Sequence, residues 1–405
     1  MSDAILMRLR HALGEAAVGR DREGRPRATP DSVEAVAQVC GLAHEEGWRV
    51  RIEGHGSWMP PDAPADLALS TLRLSRVVDV APADLVATVE SGISIGVLQG
   101  RLTALGAWLA LDPPGLPERS IGSIVATGTP GPARYGFGPV RDHILGGTIV
   151  TGDGRTIKAG GNVVKNVAGY DLTKLQVGGF GAFGVVAQLH LRLRALPAAR
   201  ATLVARGERD VLTHAARALV EQRLGASAME LFSPGLAGES EWVLAIELSG
   251  TLAGVDDEIA RASREAPLSW TRLPLDRAAA FWDMTARAVL GGGVTFRLGV
   301  FAEGQDEIID LLRAHLDAGL VSAGPGGGLL RWSGEAAVEK LRTVRRLAAE
   351  REIPLTLERA PWPVRHAFGH YGAYREGVGA LVSKLRSTFD PDPTFAVALE
   401  GVEYD

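Results

Sequence analysis

Three glycine-rich segments hold the residues of this chain best suited to chemistry: Gly54-His55-Gly56-Ser57, the stretch from Ser120 to Gly138, and Gly178 to Gly184. Each lies beside a predicted strand. Backbone amides in such loops can converge on phosphate oxygens, and small residues let a flat ring system approach. The pattern suits a large, elongated cofactor held mainly by main chain. Gly179, Gly181 and Gly184 also read literally as GxGxxG. A dinucleotide fingerprint of that form needs a helix after the glycines, whose N-terminus receives the pyrophosphate. Here "VVAQLHLRLRALP" follows instead. Leu189, Leu191 and Leu193 fall on one side and His190, Arg192 and Arg194 on the other, which is the period of a strand. A tight turn between two strands is the plain alternative for these glycines.

Other reactive side chains are sparse. Cys40 is the single cysteine, so an internal disulfide and an all-cysteine cluster are excluded, and its apolar helical neighbours make it a core thiol. His366 and His370 are spaced i, i+4, but prolines and glycines surround them and no glutamate completes an HExxH pattern, so no metal site is expected. Arg365, Tyr371 and Tyr374 could line a cleft or serve in the core or at the surface. Of the five lysines, Lys158, Lys165 and Lys174 cluster near the third glycine segment. Lys165 could neutralise phosphate or meet a carboxylate, whereas Lys158 and Lys174 read as structural. Asp171 reads as a turn cap, and Arg141–Asp142 as a local pair.

These segments need strands and helices to position them. "PDSVEAVAQVCGLAHEEG" predicts a helix with Asp31 as N-cap and Glu34 completing a capping box. "WRVRIEG" is a strand that stops at the first glycine loop. Strand-like stretches follow around Pro82 and Asp84, then a helix from Ser94 to Leu105. "LGGTIVTGDGRTIKAGG" is a hairpin turning at Gly152-Asp153-Gly154. After Pro197 a strand–helix order recurs twice, joined by "FWDMTARAVLGGG", and predicts two related α+β units with antiparallel sheet. From "APWPVRHAFGHYG" onward a helix and an irregular tail remain.

The chain has 405 residues, 46% hydrophobic and 22% charged, with net charge −5. The composition is ordinary for a soluble globular protein, and the length makes two domains the expectation. The absence of a basic stripe argues against nucleic acid as a partner. Neither a secretory signal nor an apolar run of about 18 residues is visible, so a cytoplasmic protein is expected.

Residues 29 to 197 resemble the FAD-binding domain of the vanillyl-alcohol-oxidase, or PCMH, type. The resemblance is carried by the Gly54–Ser57 loop, by "SIGSIVATGTPGPARYGFGPVRDHILGGTIVTGDGRTIKAGG", and by "KNVAGYDLTKL…G…G…GVV". The combination of "GPxRxxxGxxRDxxLG", "GG…KNVAGYD" and "GxxGV" is similar to the small flavin-binding subunit of bacterial glycolate oxidase. "LVSKLRSTFDP" near the end is similar too.

The resemblance implies an α+β fold in four parts: an N-terminal helical segment (1–28), a PCMH-type two-subdomain FAD-binding domain (29–197), an α+β cap domain with antiparallel sheet (198–360), and a C-terminal helix and tail packing back on the FAD domain (361–405). It implies that Gly54, His55, Gly56 and Ser57 hold the pyrophosphate of FAD. Ser120, Gly122, Ser123, Thr127 and Gly131 would pass toward the flavin ring, with Tyr135 and Gly136 nearby. Gly184 and Val186 would contact the adenosine end through backbone. Relatives that bind FAD covalently use a histidine directly before the loop serine; Gly56 stands there, so non-covalent FAD is expected. The last loop lacks the family's Ser, Glu and Thr, and the Asn-Pro-Gly-Arg expected after "FDP" is absent.

The function implied is that of an auxiliary FAD-binding subunit in a complex oxidising a 2-hydroxy acid to a 2-oxo acid. Its partners would be a larger catalytic flavoprotein and an iron–sulfur protein, with membrane contact, at the inner membrane, only through them. A self-sufficient FAD-dependent dehydrogenase or oxidase, and a structural subunit that has lost FAD, stay open.

Overall fold

The structure, a computed structural model, describes residues 2–161, 172–238, 240–372 and 375–397. The "KNVAGYD" stretch, with Lys165 and Asp171, lies outside the described residues, as does Tyr374.

Strands β1 (Val18–Arg20), β2 (Pro26–Ala28), β3 (Val50–Glu53) and β4 (Leu67–Ser70) form a sheet ordered β1-β2-β4-β3. The helix Val33–Glu45 links β2 to β3 and buries Val36, Val39, Cys40 and Ala43 against it. Its N-cap is Ser32, not Asp31: the Ser32 hydroxyl accepts from Ala35 N–H at 3.1 Å, while Asp31 is drawn into an ion pair with Arg73. β3 and β4 are parallel, so the chain must cross over between them. Residues 54–66 make that crossing without a helix, and the first glycine loop begins it.

A second sheet is fully antiparallel. It comprises β5 (Val77–Ala81), β6 (Val86–Glu90), β8 (Ile144–Val150), β9 (Thr156–Gly160) and β10 (Val185–Arg192), ordered β5-β6-β10-β8-β9. The short β7 (Ala107–Trp108) pairs separately with β11 (Arg194–Ala195). β8 and β9 form the hairpin read from Gly152-Asp153-Gly154, and the strand after the third glycine segment is β10, with Leu189 and Leu191 fully buried.

The rest of the chain builds one eight-stranded antiparallel sheet from two copies of the same unit. The first copy is β12 (Ala199–Gly207), β13 (Ala226–Phe232), β14 (Trp242–Gly250) and β15 (Thr271–Leu273). The second is β16 (Val294–Leu298), β17 (Gly319–Gly324), β18 (Leu329–Gly334) and β19 (Leu355–Arg359). The order β15-β12-β14-β13-β17-β18-β16-β19 is the same internal order read outward from the β13–β17 junction. One face packs Leu244, Ile246, Phe296 and Trp332 against the helices Arg209–Glu221, Leu252–Glu265, Gln305–His315 and Val338–Glu350. The other face, toward the first two sheets, carries buried charge: Glu230, Arg331 and Glu358. Strand periodicity of two lets one strand serve both faces.

The chain then returns to the first sheet. Val50 N–H donates to Thr394 O at 2.7 Å and Ala396 N–H to Val50 O at 2.8 Å, so the tail runs alongside β3.

Candidate functional site

A cleft of about 1110 Å³, part of it open to solvent, lies where the first two sheets meet. The loop leaving β3 supplies Gly54 to Trp58. Thr71 and Ser91 follow β4 and β6. The helix Ile121–Thr127 adds its first turn: Ser120 caps it by accepting from Ser123 N–H at 3.3 Å, and Gly122 N–H donates to Ser91 O at 2.7 Å. The third glycine segment is tied to the same helix, because Gly178 and Phe180 donate their N–H groups to the carbonyls of Val125 and Ala126 at 3.0 and 2.8 Å. A Cβ on residue 54 would lie 2.4 Å from Ser120 Oγ, so the first two loops meet only because Gly54 has no side chain.

Gly54, His55, Gly56 and Ser57 line this cleft, as do Ser120, Gly122, Ser123 and Thr127, and Gly184 and Val186. Gly131, Tyr135 and Gly136 do not. Gly131 abuts Asp112, whose carbonyl oxygen would sit 1.8 Å from a Cβ there. Tyr135 donates its hydroxyl to Leu224 O at 3.2 Å, and Gly136 lies against Ser227. All three belong to the seam between the second and third sheets.

The sequence reading missed several cleft residues. Ser91 Oγ and Arg51 Nη1 are buried without a hydrogen-bond partner, and both residues line the cleft. Buried polar atoms of this kind are rare in folded proteins unless a ligand or water completes them. The other terminal nitrogen of Arg51, Nη2, meets Asp21 at 3.1 Å and Glu53 at 2.9 Å. Phe180 stacks on His370 with centroids 3.8 Å apart. Burial pushes His370 down to about 3, so the ring is neutral, and its Nδ1 lies 3.2 Å from Leu357 O. The helix Trp362–Phe368 ends before His370, which separates it from His366. Among the described residues no group of three or more potential metal ligands comes together. Arg365 also lines the cleft and reaches Pro60 O at 3.1 Å and Asp62.

Beside Thr127 lies a cluster that joins the cleft to the third sheet. Glu358, fully buried, accepts from Arg297 at 2.6 Å and from Arg331 at 2.7 Å. Burial alone would raise its pKa, but the charges of Arg331 and Arg297 hold it below the ordinary glutamate value. The same arginines donate to the second loop: Arg331 to Pro130 O at 2.8 Å and Arg297 to Thr127 O at 3.4 Å. A second space of about 1000 Å³ adjoins, lined in part by Asp112, Glu230, Ser322 and Arg331. Burial raises Asp112 to about 8 and Glu230 to about 7.

Residues 26–160 match the family model described as FAD binding domain. The chain carries an FAD-binding domain. Within the glycolate oxidase subunit GlcE of Escherichia coli, 133 residues are 40% identical, covering 33% of this chain and 37% of that protein. The mitochondrial D-lactate dehydrogenase [cytochrome] of Arabidopsis thaliana is 30% identical over 175 residues, 42% of this chain and 30% of its own length. The matched segments thus span about a third of these curated relatives. The fold extends further: p-cresol methylhydroxylase with substrate bound superposes with a TM-score of 0.76 at 13% identity, covering 99% of this chain and 97% of that one.

The residues of the FAD-binding domain fit such a cofactor on their own terms. Three main-chain loops converge, a side chain on Gly54 would fill the space between two of them, and two lining residues, Arg51 and Ser91, each hold a buried polar atom without a partner. No helix among the described residues is long and apolar enough to cross a membrane.

Proposed function

We propose that this chain is the FAD-binding subunit of a glycolate-oxidase-like complex oxidising a 2-hydroxy acid to a 2-oxo acid, and that it acts as an auxiliary electron carrier. FAD, when bound, supplies two-electron acceptance and onward transfer. Gly54, His55, Gly56 and Ser57 would hold the pyrophosphate, with the partnerless Nη1 of Arg51 beside them. Ser120, Gly122, Ser123 and Thr127 would flank the path to the flavin ring, and Gly184 and Val186 the adenosine end. Gly131, Tyr135 and Gly136 instead seat the third sheet. Binding is non-covalent, since Gly56 occupies the position before the loop serine and His55 is exposed.

The observation that carries the auxiliary role is the capture of Arg297 and Arg331 by Glu358. Oxidising a 2-hydroxy acid calls for a cation at the carboxylate and a base at the hydroxyl. These two guanidinium groups beside the second loop are already engaged by the chain's own carboxylate. Substrate oxidation is therefore assigned to a larger flavoprotein partner. An iron–sulfur partner takes the electrons onward, because the one cysteine, Cys40, is buried in the first core. The complex is placed in the cytoplasm, with any inner-membrane contact made by the partners.

A self-sufficient dehydrogenase is the second reading, favoured by Asp112 and Glu230 in the space beside Arg331. Anaerobic addition of glycolate or D-lactate to the FAD-loaded chain separates the two. The flavin colour should persist with either acid and bleach with dithionite; bleaching by the acid alone would establish the second reading.

A further inference from the structure

Arg119 is the most thoroughly buried cation beside the cleft, with 1% of its surface exposed. Its Nη1 donates to Pro114 O at 2.8 Å and its Nη2 to Thr127 Oγ1 at 2.6 Å, while the guanidinium lies 4.3 Å over the Trp58 ring. Nε has no partner. No carboxylate of the described residues forms an ion pair with it. The one acid that acts on it, Glu358, is engaged by Arg297 and Arg331. Three guanidinium groups thus surround the Thr127–Pro130 segment with a single ionised carboxylate among them. Burial lowers Arg119 to about 9, which still leaves it charged at neutral pH.

A buried charge without a counter-charge is strongly unfavourable. Such a residue calls for something that completes it outside the folded chain. Thr127 and Trp58, the two side chains that Arg119 touches, both line the cleft. FAD that takes up two electrons and one proton gains one negative charge on its ring. Fixed charge near that ring is one means by which a protein tunes a flavin.

We infer that Arg119 is a positioning residue whose uncompensated charge, delivered through Thr127 and Trp58, makes the cleft bind reduced FAD more tightly than oxidised FAD. The inference rests on FAD occupying the cleft, as proposed above. It assigns Arg119 to the flavin ring and not to the pyrophosphate, which the Gly54–Ser57 loop serves.

The test compares the full-length wild type with Arg119→Met. Without FAD, the variant should melt no lower than wild type, because a strained charge has been removed. With FAD, titration by dithionite against a reference dye should show the preference for reduced over oxidised cofactor falling at least tenfold, about 30 mV for a two-electron couple. Affinity for ADP, which carries the pyrophosphate without the ring, should be unchanged. Arg119→Lys, which keeps the charge, should retain most of the potential. Should Arg119→Met fail to fold, Arg119→Gln keeps a donor for Pro114 and Thr127 and carries the same comparison. An unchanged potential with FAD bound overturns the inference alone, and so does a fall in ADP affinity without a shift in potential. A wild-type chain that takes up no FAD overturns the reading of the cleft and the inference with it.

Discussion

Trp58 donates its indole N–H to the backbone carbonyl of Glu358 at 3.0 Å, joining the first cleft loop to the last strand of the third sheet. The next residue returns the contact: Arg359 Nε donates to Trp58 O at 3.1 Å. The Glu358 carbonyl and the Arg359 side chain therefore anchor the cleft loop, while the Glu358 side chain holds Arg297 and Arg331. Both roles meet on one short strand, so a disturbance of that carboxylate should be felt in the stability of the whole chain.

Glu358→Gln keeps the shape but leaves the buried Arg331 and the partly buried Arg297 without this counter-charge. Breaking a buried pair in this way costs about 3–5 kcal/mol, to be read from urea unfolding. Glu358 has a depressed folded pKa, so the stability it lends is present above the ordinary glutamate pKa and is lost as pH falls through the folded value. A variant as stable as wild type at neutral pH would remove the cluster from the account of this seam.

Asp112 and Glu230 should produce the opposite slope. Both are raised by burial, to about 8 and about 7, so the folded chain holds protons that the unfolded chain has released. Their contribution is full below the ordinary carboxyl range and declines as pH rises toward these values. Asp112→Asn removes one of the two groups. The melting temperature of this variant relative to wild type should therefore climb between about pH 5 and about pH 8. A difference that does not vary with pH would show that Asp112 is already ionised in the folded chain.

The three glycine segments that meet at the cleft were legible from their glycines, while the residues expected to hold a cofactor came from the family resemblance. Gly54, Gly122 and Gly184 sit where backbone must approach backbone or ligand, and glycine leaves that mark in a sequence. The strand after Gly184 was legible from its alternation, which set aside the GxGxxG reading. The charged inner face was not read, since Arg297, Arg331 and Glu358 come from three separate strands and meet only through sheet order. Each did leave a trace: "VTFRL" and "LLRWSG" each set one charge inside an apolar stretch, and "LTLER" ends on the Glu358-Arg359 pair. Ser91 and Arg51 carried no such signal, because a partnerless atom is visible only once its neighbours are placed. The Asp31 cap failed for a local reason, since Ser32 competes for the same amide and Arg73 claims the carboxylate.

Gly54→Ala tests the contact between the first two loops. The new methyl would sit 2.4 Å from Ser120 Oγ and 3.4 Å from Ser120 Cβ. Overpacking of this kind costs about 1–3 kcal/mol, and FAD affinity should fall about tenfold or more if the same loops hold it, about 1.4 kcal/mol of binding. Gly100→Ala is the control: it lies in the helix Ile95–Thr103 with nothing within 4 Å of its Cβ, and should gain up to about 1 kcal/mol with no change in FAD affinity. Equal effects at both positions would detach the loop contact from cofactor binding.

The central claim is that the cleft between the first two sheets holds FAD without a covalent bond. The most direct measurement is the visible spectrum of the purified chain before and after incubation with FAD and gel filtration, followed by acid precipitation. The expected result is a flavin spectrum at one FAD per chain, with all the flavin released to the supernatant as intact FAD. A chain that stays colourless after incubation would contradict the claim, and flavin that remains in the pellet would contradict the non-covalent part of it.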